Sequence, residues 1–364
     1  MRVLFVVQHP IEGPTSRFRV YQFLPYLQEK GVETCVLPFL SSSELPVIYE
    51  NSPVLKKIAV TLRATFRRCC HLLQARNYDI VYLVREAYPF GPPIFEYLFK
   101  KCCRRMVFDF DDAIYTPSTA YNNPLDVLRD WHKTGKLIQM ADHVVPGSEY
   151  LANYVVNQGY PAVKITVIPT VVDTSVNIPA PSRKPDNAKS VVIGWIGTPR
   201  GTSYLIELMP VFTRLCEKFG GIRFLFSGAE PYDNQGLPIE FKSWRLSEEI
   251  NDLQRFDIGI MPLTDDEESR GKCGFKLIQY MSVGIPSVCS PVGANNAIIA
   301  EGKSGFFAAN HEEWFEKLSR MIENPILRQA LGQEGRRVAE QAFSLNSAAP
   351  KLYAVLNNLM KDSA

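Results

Sequence analysis

Short apolar runs alternate with segments of helical periodicity through the first half of the chain. Runs of this kind predict buried strands, and an amphipathic helix is predicted near Ser16–Lys30, after the first run. Strands and helices in alternation indicate a parallel sheet covered by helices on both faces. The predicted strands are Arg2–Gln8, Val32–Pro38, Ile80–Val84, Met106–Phe110 and His143–Pro146.

The alternation stops at Asn177–Ser190, a stretch that is rich in Pro, Ser, Asn and Lys and predicts a linker. It resumes with strands at Val191–Ile196, Arg223–Ser227, Ile258–Met261, Ser287–Cys289 and Phe306–Ala308, followed by helices near Glu312–Asn324, Ile326–Gln341 and Ser347–Lys361. We therefore predict an α/β protein with two doubly wound, Rossmann-like domains facing across a cleft. Their limits are 1–176 and 191–346, joined by linker 177–190, with the C-terminal helix 347–364 packing back on the first domain.

The length, net charge and cysteine content of the chain narrow the class of protein. A chain of 364 residues exceeds what one hydrophobic core usually supports, and a net charge of +2 argues against nucleic acid as the main partner. The eight cysteines include the adjacent pairs Cys69–Cys70 and Cys102–Cys103 and show no metal-type spacing, which indicates reduced thiols of a cytoplasmic protein. No window approaches 18 apolar residues, so no membrane-spanning segment is predicted.

The most informative segment is Gly271–Gly284, which reads GKCGFKLIQYMSVG. Glycines before a helix let main-chain N–H groups approach an anion, and the helix dipole favours negative charge there. Lys272 and Lys276 add two ammonium groups, and Gln279 lies one turn further along the helix, within reach of hydroxyls on the same ligand. The pattern suits a diphosphate. A solvated helix start with two surface lysines is the alternative.

A second loop follows the strand Val191–Ile196 and contains Gly197, Thr198 and Arg200. A guanidinium at a strand end can hold phosphate oxygens in a bidentate manner. The sequence contains neither GxGxxG nor a Walker motif, which argues against a dinucleotide dehydrogenase and a P-loop NTPase.

The stretch Asp257–Phe307, with DIGIMPL, KCGFKLIQYMSVGIPSVCSPVG and EGKSGFF, resembles the donor-binding signature of retaining family 4 glycosyltransferases with the GT-B fold. Supporting matches are VIPTVVD at Val167–Asp173, GWIGTPRG at Gly194–Gly201 and the closing pattern from Pro325 to Ser344. The likeness is strong in the second half and weak in the first. The nearer resemblance is to a subgroup with a Lys-Cys-x-x-Lys donor loop.

The resemblance implies roles for particular residues. Gly274 and Phe275 occupy the loop that binds the diphosphate, and Arg200 with Lys276 or Lys272 would neutralise the leaving group. Gln279 stands where the family has the glutamate that holds the ribose.

The family's other glutamate falls on Gly271, so the usual carboxylate contact to the donor sugar is missing. Trp244 follows the strand beside which this fold places the nucleobase; stacking on a base and simple burial are both open.

In the first half, Asp111 and Asp112 follow the strand after which the family commonly has a histidine. With Asp109 they could ligate Mg²⁺ or Mn²⁺. The resemblance implies a fold that works without metal or cofactor, so binding of donor-sugar or acceptor hydroxyls is preferred, with a loop-capping role as the alternative. Arg85 ends a strand at the same edge, and is a candidate acceptor-binding residue together with Gly13, Arg17 and Arg19, unless the last two are surface arginines.

The segment Val54–Arg76 is basic and amphipathic. Its apolar positions approximate one helical stripe, and it contains no acidic residue. Such a segment can contact anionic lipid at the inner face of a membrane, which would suit a lipid-linked acceptor. A solvated helix face would look the same.

The function expected from these features is transfer of a sugar from a UDP or GDP donor to a glycan, lipid-linked or small-molecule acceptor. The resemblance implies that the anomeric configuration is retained. Two alternatives stay open. One is a sugar-nucleotide epimerase of the same fold, which would need more acid and base groups. The other is a non-catalytic nucleotide-sugar-binding protein, suggested by the missing glutamate and histidine.

Overall fold

The computed structural model describes residues 1–49, 52–117, 127–181 and 190–361. Within these ranges the chain forms two compact units, one from residues 1–117, 127–170 and 348–361 and the other from residues 171–347. Each unit contains its own parallel sheet with helices around it. The predicted class of two parallel-sheet α/β domains is confirmed.

The sheet of the first unit has five parallel strands in the order β2-β1-β3-β4-β5. They are β1 (Arg2–Val7), β2 (Glu33–Pro38), β3 (Ile80–Val84), β4 (Arg105–Phe110) and β5 (His143–Pro146). The helices are α1 (Pro14–Arg19), α2 (Leu24–Glu29), α3 (Leu45–Tyr49), α4 (Val54–Ala75), α5 (Ile94–Cys102), α6 (Lys133–Met140) and α7 (Glu149–Asn157).

One predicted helix is wrong. The segment expected to form a single helix near Ser16–Lys30 is divided into α1, a short 3-10 turn at Tyr21–Phe23, and α2. Pro25 lies at the start of α2 and cannot donate the main-chain hydrogen bond that a continuous helix would need there. α1 therefore has only six residues, and Gly13 caps it without a side-chain hydrogen bond.

The sheet of the second unit has six parallel strands in the order β11-β10-β9-β6-β7-β8. They are β6 (Val191–Ile196), β7 (Ile222–Ser227), β8 (Ile239–Lys242), β9 (Ile258–Met261), β10 (Ser287–Cys289) and β11 (Gly305–Phe307). The helices are α8 (Thr202–Glu207), α9 (Met209–Lys218), α10 (Glu249–Gln254), α11 (Glu267–Arg270), α12 (Phe275–Ser282), α13 (Asn295–Ile298), α14 (His311–Glu323) and α15 (Pro325–Ala342). The last helix, α16 (Leu345–Lys361), begins in this unit and continues in the first.

Two glycines in the central strands of the second unit allow aromatic rings to lie directly on the sheet. A Cβ at Gly194 would stand 2.0 Å from the Phe256 ring, and one at Gly259 would stand 2.5 Å from the Tyr280 ring. No larger residue fits at either position without displacing a ring. Because Tyr280 belongs to α12, the glycine in β9 sets how closely that helix packs on the sheet.

Two further features follow from the described residues. None of their helices is both long enough and apolar enough to cross a bilayer. All eight cysteines lie in the described ranges and none of them forms a disulfide.

Candidate functional site

The strand order of the second unit locates its site. The order reverses between β6 and β9, and ligands of doubly wound sheets bind outside the carboxyl ends of the strands at such a reversal. The loop 197–201 leaves β6 at this edge, and the segment 262–274, which includes the short helix α11, leaves β9 and leads into α12. Both sequence segments predicted to bind a diphosphate therefore emerge from neighbouring strands.

Tyr280 holds α12 against these two strand ends. Its side chain is fully buried, and its hydroxyl donates to the Ile260 carbonyl oxygen at 3.1 Å and accepts from the Ile196 N–H at 3.3 Å. Burial raises the pKa of this hydroxyl, which keeps it a neutral hydrogen-bond donor. One side chain thus links the helix to the last residue of β6 and to β9, and fixes where the first turn of α12 lies.

Lys276 lies in that first turn and contacts the β6 loop. A Cβ built on Gly197 would stand 2.9 Å from the Lys276 Cε and 2.4 Å from the Trp195 ring. The Lys276 ammonium lies over the same ring, 5.4 Å from its centre, a cation–π arrangement. The structure therefore brings together Gly197 and Lys276, which are 79 positions apart in the sequence, as a binding site shared by the two segments requires.

Lys272 lies against a different aromatic ring. Its ammonium is 3.2 Å from the hydroxyl of Tyr204 and 3.5 Å from a carboxylate oxygen of Glu268. The Tyr204 hydroxyl also lies 3.2 Å from the Ser269 hydroxyl. Because Tyr204 belongs to α8, this network connects the donor loop to the helix that follows the Gly197 loop. The charge of Lys272 is partly balanced by Glu268.

The N-terminus of α12 has the geometry expected of an anion-binding turn. Gly274 adopts the left-handed conformation with φ of 65°, and no side chain makes an N-cap hydrogen bond to this helix. Phe275 is the first helical residue, as the sequence predicts. Gln279 lies one turn further on and is only 5% exposed, so a role toward a ribose stays a prediction.

Thr198 and Arg200 lie on the exposed part of the β6 loop, where Pro199–Gly201 form a 3-10 turn. The loop begins close to the sheet, since the Gly197 N–H donates to the Ser227 carbonyl oxygen at 3.0 Å. Gly228 permits this approach, because a Cβ there would stand 2.1 Å from the Gly197 carbonyl oxygen. Arg200 is thus an exposed residue at the same strand edge as Lys276.

Trp244 is half-buried, and its indole N–H donates to Glu249 at 2.8 Å. The residue is therefore not simply buried, and stacking on a base stays a prediction. The ring follows β8, and a Cβ at Gly228 would come 3.3 Å from the Trp244 Cβ, so the residue lies next to the Gly197 loop.

In the first unit, Arg19 has a different role from the predicted one. Its guanidinium is 2% exposed and makes two hydrogen bonds to the Asp109 carboxylate, at 2.9 and 2.6 Å, and one to the Ile168 carbonyl oxygen at 2.5 Å. Tyr82 donates to the same carboxylate. Arg19 is therefore a buried structural residue, and binding of an acceptor is not supported. The surface alternative is also wrong, since Arg17 is only 9% exposed.

Asp111 and Asp112 are joined by Arg85. The Arg85 Nε donates to Asp111 at 2.7 Å, and another guanidinium nitrogen donates to Asp112 at 2.6 Å. Burial alone would raise the pKa of Asp111, but the Arg85 charge and its hydrogen bond hold that pKa below its usual value. Arg85 itself has φ of 61°, an uncommon conformation for a residue with a side chain. With Asp109 engaged by Arg19, the three carboxylates do not converge on a metal site.

Glu86 follows Arg85 directly after the end of β3, as the sequence predicts. It is 4% exposed, and it accepts from Gln8 at 3.2 Å and from Arg129 at 3.1 Å. Burial raises its pKa, against the opposing effect of Arg129. Gln8 and Glu86 follow β1 and β3, between which the strand order of this unit reverses. Gly13 lies nearby in sequence and packs on His9, with a Cβ there standing 2.3 Å from the His9 Cβ.

The helix α4 exposes its apolar stripe. The buried positions are Val60, Ala64, Arg68, His71 and Ala75, which form the opposite face. The outward apolar side chains are Val54 (71% exposed), Leu55 (79%), Ile58 (49%), Leu62 (66%), Phe66 (72%) and Leu73 (69%). Among them stand the exposed cations Lys56, Arg63 and Arg76. This helix therefore turns to solvent the residues that an amphipathic helix normally buries.

Comparisons with known proteins agree with this fold. The family model described as "Glycosyltransferase Family 4" matches residues 18–176, and the one described as "Glycosyl transferases group 1" matches residues 189–324. Among curated proteins, spore coat protein SA of Bacillus subtilis (strain 168) is 30% identical over 80 residues, which are 21% of this chain and 21% of that protein.

Solved structures resemble the chain over almost its whole length. Sucrose-phosphate synthase from Thermosynechococcus elongatus has a TM-score of 0.72 at 13% identity, over 99% of each chain. A glycosyltransferase from Rickettsia africae ESF-5 has a TM-score of 0.69 at 16% identity, over 99% of this chain and 98% of the other. Anabaena Alr3699/HepE in complex with UDP has a TM-score of 0.63 at 14% identity, over 98% and 100%. The chain therefore contains a family 4 glycosyltransferase domain followed by a group 1 glycosyltransferase domain, and its fold is the GT-B fold of these solved glycosyltransferases.

Proposed function

We propose that the protein transfers a sugar from a nucleoside-diphosphate donor to an acceptor hydroxyl with retention of the anomeric configuration. The observation that carries this proposal is the contact between Lys276 and the Gly197 loop at the strand reversal of the second unit. This contact brings two glycine-containing segments, the N-terminus of a helix and a cation close together. A diphosphate bound there can approach main-chain N–H groups.

The chemistry that this site can supply is electrostatic. Departure of a nucleoside diphosphate builds negative charge on its phosphate oxygens, and fixed positive groups lower that barrier. Lys276 is the closest match to this role, because Tyr280 fixes its helix and its side chain lies beside Gly197 and Trp195 at the strand reversal. Arg200 would add a bidentate contact from the exposed loop. Lys272 contributes less, since Glu268 balances its charge.

The residues proposed to bind the acceptor lie at the carboxyl edge of the first sheet. Arg85 with Asp111 and Asp112 presents both hydrogen-bond donors and acceptors, which suits hydroxyl groups of a glycan. Glu86 with Arg129 offers a second such pair. Because every one of these carboxylates faces an arginine, we propose that the reaction proceeds without a metal ion or cofactor.

For the donor we propose UDP or GDP sugars. Structures of Anabaena Alr3699/HepE are described as complexes with UDP and with UDP-glucose, and this supports testing uridine donors first. The Lys-Cys-x-x-Lys loop around Cys273 is proposed to define a subgroup, because Gly271 lacks the carboxylate that other members direct at the donor sugar. A role in polysaccharide biosynthesis would follow from a glycan acceptor.

We also propose that the protein is cytoplasmic and contacts the inner face of a membrane through residues 54–76. The outward stripe of α4 is apolar, its exposed charges are positive, and the helix contains no acidic residue. Anionic lipid complements that charge, and the apolar side chains can enter the bilayer interface. A lipid-linked glycan acceptor would then be presented at the same surface.

The test of the function is incubation with UDP-glucose, UDP-galactose, UDP-N-acetylglucosamine and GDP-mannose, with products followed by NMR. A transferase releases nucleoside diphosphate and, with water or an added sugar as acceptor, first forms the product of retained configuration. An epimerase would instead convert one intact nucleotide sugar into another. A protein that binds a donor and returns it unchanged under all acceptors would be a binding partner, and the proposal would be wrong.

A further inference from the structure

Asn295, the first residue of α13, has a buried amide with only one end hydrogen-bonded. The side chain is 1% exposed, and its Nδ2 donates to the Ser290 carbonyl oxygen at 2.9 Å. The Ser290 hydroxyl in turn accepts from the Leu263 N–H at 2.9 Å. These bonds anchor the amide at the ends of β9 and β10. The amide oxygen Oδ1 is also buried, and it has no hydrogen-bond partner among the described residues.

That oxygen is directed at the start of the donor helix. A Cβ built on Gly274 would stand 3.2 Å from the Asn295 Oδ1 and 2.3 Å from the Ile298 Cδ1. α13 therefore packs directly on the residue that caps α12. Since no side chain makes an N-cap bond to α12, the Asn295 oxygen is an acceptor presented to that turn by a different element.

A buried acceptor without a hydrogen bond costs free energy, and folded proteins rarely keep one without a reason. The neighbouring apolar residue Ile298 shows that an aliphatic side chain packs in this place. Packing alone does not require a polar side chain at this position, so the asparagine indicates that its amide oxygen has a hydrogen-bonding role. The groups that could satisfy it are the main-chain N–H groups of the turn that begins α12.

We infer that Asn295 is a positioning residue for the diphosphate loop 272–276, an inference that rests on the proposed function. When a diphosphate draws N–H groups of this turn toward its oxygens, the Asn295 Oδ1 accepts from an N–H that the ligand does not use. The turn is then held from both sides. The anchor to Ser290 keeps the amide oriented, so that the oxygen and not the NH₂ group faces Gly274.

The experiment compares nucleoside diphosphates with monophosphates by calorimetry at 20 °C. UDP, UMP, GDP and GMP are titrated into the wild-type protein, Asn295→Ala and Asn295→Asp, with Asn296→Ala as the control. Asn296 is the same residue type at the next position, but it is exposed. The melting temperature of each variant is recorded in parallel.

For Asn295→Ala we expect the dissociation constant of the preferred diphosphate to rise about tenfold and that of its monophosphate to change less than twofold. Asn295→Asp keeps the oxygen but adds a charge beside the phosphates, so it should weaken diphosphate binding further. Asn296→Ala should match the wild type. A purely structural role predicts a lower melting temperature with equal changes for both nucleotides, and this result, or unchanged binding, would overturn the inference. If the wild type binds none of the four nucleotides, the proposed function fails first and the inference with it.

Discussion

Lys276 and Trp195 form a packed pair at the carboxyl edge of the second sheet, with the ammonium 5.4 Å from the centre of the indole ring. Trp195 is 1% exposed, so it provides a rigid surface for the lysine stem. Gly197 leaves the space that the pair needs, because a Cβ there would meet both side chains. A cation restrained in this way loses little freedom when it binds an anion.

Removing the hydroxyl of Tyr280 should disturb both stability and binding. Tyr280→Phe leaves the Ile196 N–H and the Ile260 carbonyl oxygen without this partner in a buried site, which costs about 1–3 kcal/mol. Urea unfolding measures that cost. We also expect weaker binding of UDP or GDP, because the first turn of α12 loses its fixed position. Unchanged stability together with unchanged binding would show that the hydroxyl does not anchor the helix.

Gly197→Ala should abolish nucleotide binding. The added methyl group would stand 2.4 Å from the Trp195 ring and 2.9 Å from the Lys276 Cε, so one of them must move. Gly220→Ala is the matched control, since nothing lies within 4 Å of a Cβ at that position. Calorimetric titration of both variants measures the difference. If Gly197→Ala binds the nucleotide as well as Gly220→Ala does, the loop is not part of the site.

Arg85→Ala should lower stability at neutral pH and have little effect in acid. Arg85 holds the pKa of Asp111 below its usual value of 3.8, so the pair stabilises the fold above that pH and the contribution disappears as the pH falls further. At pH 7 we expect a melting temperature about 5 °C lower than that of the wild type. At pH 3 the difference should shrink.

The control for this prediction is Arg104→Ala, which removes an exposed arginine from the same unit. It should behave like the wild type at both values of pH. A difference between Arg85→Ala and the wild type that stays the same from pH 7 to pH 3 would mean that the Asp111 charge is not what Arg85 stabilises.

The outward stripe of α4 should bind anionic vesicles. We expect the wild-type protein to sediment with vesicles of phosphatidylglycerol and phosphatidylcholine, and to do so much less with phosphatidylcholine alone. Leu62→Ser combined with Phe66→Ser removes two side chains that are 66% and 72% exposed, and should weaken the binding at least tenfold. Ile326→Ser, at another exposed apolar position, is the control.

Equal sedimentation with both kinds of vesicle would rule out charge complementarity. Equal binding by the double variant and the control would rule out the stripe itself. Self-association that the double variant abolishes, without vesicle binding, would assign the surface to a second copy of the chain.

Much of the fold could be predicted from the sequence, because buried parallel strands are continuous apolar runs. Ile80–Val84 and Val191–Ile196 have the predicted bounds. The strand Ile239–Lys242 is not predicted from the sequence. It lies at the edge of the sheet and is half-exposed, and its apolar residues alternate with the charged Glu240 and Lys242, unlike those of the buried strands. The break in the helix near Ser16–Lys30 is predictable from Pro25, because proline interrupts a helix through its own local geometry.

The site could be predicted only in part. Local spacing is enough to select Lys276 and Gly274 as candidates, because glycine before a helix and a lysine in its first turn are features of neighbouring residues. The pairing of Arg19 with Asp109 spans 90 positions, and no local pattern signals it. Asn295 and Tyr280 act through contacts between elements, so their roles depend on packing that the sequence does not display.

Binding of a nucleoside diphosphate to the second unit is the central claim, and titration of UDP and GDP by calorimetry tests it most directly. We predict that the wild-type protein binds at least one of them and that Lys276→Ala weakens that binding about a hundredfold. Lys218→Ala, which removes an exposed charge at the opposite end of the strands, should bind as the wild type does. Binding that is equally strong in Lys276→Ala, or absent from the wild type, would contradict the account.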